Sequence, residues 1–397
     1  MPESTSTSLH LAVALDGAGW HPAAWREPEA RPEELFTARY WADLAAEAER
    51  GLLDLLTFED GLSLQSDEPF APDARTDRVR GRLDSVLVAA RIAPLTRHIG
   101  LVPTAVVPYT EPFHLSKAVA TLDFVSSGRA GLRVKISGRP DEAAHFGRRR
   151  APDLTRSDVL AEELAEAADY VEVLRRLWDS WEDDAEIRDA ATGRFVDRDK
   201  LHYIDFAGPR FRVRGPSITP RPPQGQPLVA SLAHGPETFQ LAGGSADLAF
   251  ITPPDPDAAR AALAAIRAAQ HTAGRDAETV HVFADLAVFL DERPGAAADR
   301  LARLNGRAGA EYRGDARIFT GTAAELADLI EELAATGVTG FRLRPGALPY
   351  DLERITRDLV PELQRRGRFR TAYGASTLRG LLGLPRPANR YAPAATV

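Results

Sequence analysis

The sequence predicts an α/β protein of eight strand–helix units. Short apolar runs recur along its 397 residues, and each is followed by a stretch with helical spacing. Such alternation implies a parallel sheet joined by right-handed crossovers. A single (β/α)8 barrel with insertions reaches this length. The open doubly wound sheet is the competitor, and element order alone does not separate the two.

The first strand covers residues 9–15, LHLAVAL, and a helix is expected over 33–50, stopped by Gly51. Strands follow at 54–58 and 99–102, with a helix at 83–92 between them. The helix at 112–125 opens on Pro112, where a missing N–H costs nothing. A fourth strand spans 132–136. The longest helix runs from about 158 to 181 and ends at Glu182-Asp183-Asp184, because negative charge is unfavourable at a helix C-terminus. Charges, glycines and prolines then dominate through 182–226, the largest insertion, lying between strands four and five and holding a short hairpin around 202–213. Strands five, six and seven are expected at 227–231, 248–251 and 280–290, the last with room for a bulge. Helices fall at 236–242 and 255–273, and two more near 295–304 and 323–336. Strand eight spans 339–343 and the last helix 352–365. The barrel domain thus covers 1–370, and 371–397 form an extension that packs on the barrel or on a partner subunit.

Net charge is −8, which argues against a nucleic-acid partner. Arg148-Arg149-Arg150 is the densest basic run, read as a solvated loop or a contact for an anionic group such as a flavin phosphate. Cysteine is absent, so thiolate metal sites, disulfides and a cysteine nucleophile are excluded. Met1 to Ser8 is polar without the basic and apolar regions of a secretory signal, and no run of 18 apolar residues occurs. A cytoplasmic protein is expected.

Phosphate-binding P-loop, HExxH and GxSxG patterns are missing, and Gly17-Ala18-Gly19 lacks a third glycine. The nine histidines show no metal-ligand spacing. What remains are polar residues where strands end, the face on which a barrel builds its site. Asp16, Trp20, His21 and Trp25 follow strand one, Glu59 and Asp60 strand two, Thr104 strand three, Ser137 strand four, and Ser231 and His234 strand five. His21 between two tryptophans suits a hydrogen-bond donor or acid/base group. Asp123 and His114 fall on the third helix, where structural roles are expected. The N–H groups of His234-Gly235-Pro236 are placed to cradle an anion at a helix N-terminus.

Several segments together resemble one family. Gly19 to Arg26 reads GWHPAAWR, similar to the GxHxxAWR opening of the nitrilotriacetate monooxygenase, pristinamycin synthase and dibenzothiophene-sulfone monooxygenase group of the bacterial luciferase-like superfamily. Residues 122–129, LDFVSSGR, resemble its LDxxSxGR, and 377–384, TLRGLLGL, its closing TLRxxLGL. The resemblance implies a closed (β/α)8 barrel, usually a homodimer, that takes reduced FMN from a separate flavin reductase. O2 then adds to the flavin, and the resulting peroxide oxygenates a small organic substrate. It implies His21 as the catalytic histidine, with Asp60 and Thr104 beside the flavin. The cofactor would carry the oxygen chemistry, so no side-chain nucleophile is required.

The sequence departs from the family at cofactor positions. Leu132-Arg133 stands for Trp-Asn, His145-Phe146-Gly147 for Asn-Phe-Gly, Glu163-Leu164 for Arg-Tyr, and Leu232-Ala233-His234-Gly235 for Ala-Gly-x-Ser. Arg133, Ser137, His234 and Gly235 are therefore expected to complete the flavin site. Trp20, Trp25, Glu59 and His145 are expected to line the substrate pocket, and no metal is expected. Two alternatives stand beside this reading: an F420-dependent oxidoreductase, and a barrel without catalysis that serves as a binding or partner subunit.

Overall fold

The computed structural model describes residues 9–392; Met1 to Ser8 and positions 393–397 lie outside the described residues. Its strands are β1 His10–Leu15, β2 Leu55–Phe58, β3 Gly100–Val106, β4 Gly131–Lys135, β5 Glu186–Asp189, β6 Arg194–Val196, β7 Phe206–Ala207, β8 Arg212–Val213, β9 Leu228–Leu232, β10 Leu248–Ile251, β11 His281–Leu290, β12 Arg317–Gly321 and β13 Gly340–Pro345. Eight of them close a parallel barrel in the order β1, β2, β3, β4, β9, β10, β11, β13. Closure is direct, with Leu248 opposite His281 and His10 opposite Gly340. The open sheet is thereby excluded.

The helices are α1 Ala38–Arg50, α2 Ser85–Ile92, α3 Pro112–Val125, α4 Pro140–Phe146, α5 Ser157–Asp179, α6 Pro236–Ser245, α7 Pro256–Thr272, α8 Ala296–Ala308, α9 Ala323–Ala334, α10 Tyr350–Arg354, α11 Val360–Arg365 and α12 Leu378–Leu381. All but α12 lie around the outside of the barrel. The chain does not form α1 at residue 33. Pro32–Glu34 makes a separate 3-10 turn, and Thr37 caps α1 by accepting from the Tyr40 N–H at 3.3 Å. At its other end α5 stops at Asp179, because Trp181 turns away to donate to the Ser217 carbonyl at 2.8 Å.

Elements not legible in the sequence pattern include α4, the β5–β6 hairpin, β12 and the short α12. The extra length of β11 is no bulge. Its first half pairs with β10, and its second half pairs with β12, Leu286 lying opposite Arg317. The insertion holds the expected second hairpin as β7–β8.

Inside the barrel two storeys differ in chemistry. The lower one, at the strand N-termini, is apolar and includes Leu55, Val102, Leu228, Phe250 and Phe283. Leu378, Leu382 and Leu384 of the C-terminal segment pack into it, and His281 Nε2 donates to the Leu382 carbonyl at 2.8 Å. The extension therefore plugs the barrel floor. Burying each such leucine contributes roughly 1.5–3 kcal/mol. The LDxxSxGR segment serves this architecture as well. Asp123 accepts from the Gln224 side chain at 2.6 Å and from the Ala130 N–H at 3.2 Å, while Arg129 donates to the carbonyls of Ala93, Thr96, Ile99 and Ser126. Asp123 thus has the structural role expected of it.

Candidate active site

The upper storey, at the strand C-termini, is a connected ion-pair network. Arg133 on β4 is 2% exposed. It donates through Nε to Thr104 Oγ1 at 2.8 Å and through a terminal nitrogen to Glu59 Oε2 at 2.5 Å. The Thr104 hydroxyl in turn donates to the Phe58 carbonyl at 2.7 Å. Burial raises the Glu59 pKa, but Arg133, Arg342 and Lys135 outweigh it and hold the carboxyl at about 2. Arg342 and Arg344 on β13 both clasp Asp285 of β11, and Arg344 reaches on to Asp315 at 2.5 Å. Arg342 also lies over the Phe250 ring, 4.0 Å from its centroid. One polar atom of this storey, Glu59 Oε1, is buried without a hydrogen-bond partner; Ser231 Oγ, likewise unbonded, lies on the outer face of β9 towards α5 and α6.

The loop after β1 folds over the mouth. Gly19 adopts φ +127°, and a Cβ there would sit 2.5 Å from the Gly346 carbonyl oxygen, so this close approach requires glycine. Trp20 N–H and His21 N–H then donate to the carbonyls of Pro345 and Gly346, both at 2.9 Å. Trp20 is pinned through Nε1 to the Ala14 carbonyl and Trp25 through Nε1 to the Asp77 carbonyl. His21 is 1% exposed. Its Nδ1 accepts from the Ala23 N–H at 3.0 Å, so Nε2 carries the proton and donates to Asn305 Oδ1 at 3.0 Å. Burial lowers its pKa against the raising effect of Asn305 and keeps the ring neutral. Beside it lies a pocket of about 530 Å³, lined by Trp20, Pro22, Arg78, Tyr312, Arg313 and Asp315 among others. A smaller cavity of about 210 Å³ shares Trp20 and Arg78 and adds His21, Trp25 and Asp16.

On the far side, a cavity of about 250 Å³ opens between the ends of β4 and β9 and helices α5 and α6. His234 stands at its rim with Nδ1 3.4 Å from Asp315 Oδ2. The expected anion cradle is already filled. The N–H groups of His234 and Gly235 both donate to Thr238 Oγ1, at 2.8 and 2.9 Å.

The structure brings Glu59, Thr104 and Arg133 into direct contact and sets Trp20, His21 and Trp25 over the same mouth. Asp60 sits beside it as a loop anchor, accepting from Gly61 N–H at 2.7 Å and Ser85 N–H at 2.8 Å. Ser137 accepts from the Arg139 N–H at 3.3 Å within a turn. His145 stands apart, exposed on α4. In the basic run Arg148 and Arg150 are exposed, as a solvated loop would have them, while the partly buried Arg149 is held between Glu163 and Glu166 at 2.6 Å each. Sequence reasoning missed Asp285, Arg342, Arg344, Lys135 and Tyr312. The two arginines had one signal, the alternation Phe341-Arg342-Leu343-Arg344, which places both on the same face of β13.

A barrel mouth with buried fixed charges and aromatic walls is suited to an enzyme site. The family profile described as "Luciferase-like monooxygenase" matches residues 18–340, and the chain belongs to that family. It is 30% identical to N-acetyl-S-(2-succino)cysteine monooxygenase of Bacillus subtilis (strain 168), over 98% of this chain and 99% of that protein. It is 28% identical to nitrilotriacetate monooxygenase component A of Aminobacter aminovorans, over 97% and 98%. Among solved structures, riboflavin lyase with modified FMN and its substrate riboflavin superposes with TM-score 0.85 at 25% identity, covering 96% of this chain and 97% of that one.

Proposed function

We propose that the chain is the oxygenase component of a two-component flavin monooxygenase. It takes reduced FMN from a separate flavin reductase and, with O2, oxygenates a small organic substrate, acting as a homodimer in the cytoplasm. The observation that carries this reading is Glu59 Oε1, buried in the polar storey without a hydrogen-bond partner and with the Arg342 guanidinium 3.8 Å away. Buried polar groups are ordinarily satisfied, so this oxygen suits a donor on the polar edge of an isoalloxazine.

Reduced flavin, when bound, supplies the electrons that activate O2. The protein contributes position and dryness. Glu59, Thr104 and Arg133 form a rigid polar base whose members hold one another in place. Trp20 and Tyr312 wall the pocket of about 530 Å³ in which the substrate sits and from which water is displaced. His21 offers the Nε2 proton, now given to Asn305, to an acceptor on the substrate side. Membership of a monooxygenase family and the small organic molecules named for its relatives agree with this assignment. Within the described residues no helix is long and apolar enough to cross a membrane.

The test is a fluorescence titration of the purified protein with oxidised FMN, reduced FMN and F420, followed by O2 uptake in the presence of a reductase. Tight binding of reduced FMN supports the proposal. Preference for F420 would transfer the chain to hydride-transfer chemistry. Binding of none would leave a partner or binding subunit. A His21→Ala variant with undiminished oxygenation would remove that side chain from the mechanism.

A further inference from the structure

We infer that Lys135 is the side chain by which this site tells reduced flavin from oxidised: its ammonium serves the anionic reduced ring and has no matching charge to hold in the neutral oxidised one. This deepens the flavin reading above, on which it rests.

Lys135 is the last residue of β4. Strand alternation turns it to the same inward face as Arg133, while Val134 between them packs outward among the residues of α5. It is part-buried, and its Nζ donates to the Asp60 carbonyl at 3.0 Å. An ammonium has three N–H groups to give. Among the described residues no ion pair and no second hydrogen bond claims the other two. The neighbouring cations are committed: Arg133 to Glu59, Arg342 and Arg344 to Asp285, and Arg82 to Asp16. Burial is the first influence on the Lys135 ammonium and draws its pKa down. Glu59 and Glu142 favour its charged form, and Arg133 and Arg82 oppose it. An anion brought alongside would meet the one cation here that has no carboxylate of its own.

The free Glu59 Oε1 shows which edge of a flavin faces this group. The imide N–H of an isoalloxazine, which a carboxylate oxygen can accept, is flanked by two carbonyl oxygens, so a complementary site needs donors beside its acceptor. Arg342 lies 3.8 Å from Glu59 Oε1, and Lys135 acts on the same carboxyl through space. Two-electron reduction places negative charge on this half of the ring near neutral pH. An ammonium beside that charge in a partly desolvated mouth favours the reduced form by about tenfold to hundredfold.

The experiment measures dissociation constants for FMN by quenching of tryptophan fluorescence, with FMN oxidised and with FMN dithionite-reduced under anaerobic conditions. It compares the full chain with Lys135→Gln and Lys135→Arg. The unaltered protein should bind reduced FMN at least about tenfold more tightly than oxidised FMN. Lys135→Gln keeps a donor for the Asp60 carbonyl and removes the charge; it should lose about tenfold of that preference, almost all from the reduced form. Lys135→Arg should keep the preference within about threefold. As an independent readout, the midpoint potential of bound FMN should fall by about 30 mV for each tenfold lost. A side chain that merely supports the loop would weaken both forms together and leave the ratio and the potential where they were. That result, or equal binding of both forms by the unaltered protein, overturns the inference and leaves the flavin reading standing. Failure of the folded protein to bind FMN in either form overturns both.

Discussion

The two ends of this barrel solve the same problem with opposite chemistry. At the floor, β-strand N-termini are sealed by aliphatic packing of Leu378, Leu382 and Leu384. At the mouth, the interior is filled by Glu59, Arg133, Asp285, Arg342 and Arg344, tied by charge. A hydrophobic seal is non-directional and tolerates small adjustments. A buried ion network is directional and fails when one partner is removed. The floor therefore tolerates small changes of shape, and the mouth fixes a geometry.

The largest separation between the two ends should come from Asp285→Ala. It leaves two buried guanidinium groups facing one another without their shared carboxylate and should cost about 3–5 kcal/mol, read by urea unfolding. Leu378→Ala at the floor should cost about 2–5 kcal/mol through the cavity it leaves. Flavin affinity should survive the floor change and fall with the mouth change. An equal loss of flavin affinity in both variants would show that the ends are not independent.

The ends should also part company in acid. His281 at the floor is held at about 4 by burial and by its neighbour His10. A histidine depressed in this way contributes stability above its ordinary value of 6.5, and that stability is lost as pH falls towards 4. Glu59 at the mouth, held at about 2, contributes above its ordinary 4.5 and loses it as pH falls towards 2. Thermal midpoints measured against pH should flatten in the upper window for His281→Gln and in the lower window for Glu59→Gln. Crossed effects would break the assignment. The smallest effect belongs to His145→Ala: exposed on α4, it should change stability by less than about 0.5 kcal/mol and leave flavin binding untouched.

What the sequence disclosed followed the same division. The eight barrel strands were legible because their apolar residues are bounded by glycine, proline and charge. β12 escaped because Arg317-Ile318-Phe319-Thr320-Gly321 is short and half polar, and it becomes a strand through the free upper edge of β11. Glu59, Thr104 and Arg133 were found by their place at strand ends. Arg342 and Arg344 were not, because arginines alternating with Phe341 and Leu343 read as a strand with a solvent-facing side. In a closed barrel that second side faces inward, and only the ring of neighbouring strands reveals it. The bonding that ties up His21 and the His234-Gly235 cradle was equally out of reach, since Asn305 lies far along the chain and Thr238 acts through its side-chain geometry.

The stopper of this cylinder has a consequence for how it is made. Residues 378–384 follow all eight staves in the chain, so a ribosome releases the seal after everything it closes. Until then the lower interior, with Phe250 and Phe283, has no lid against water. Newly made protein that stalls before this point would display a greasy open end, a natural handle for chaperones and a hazard for aggregation.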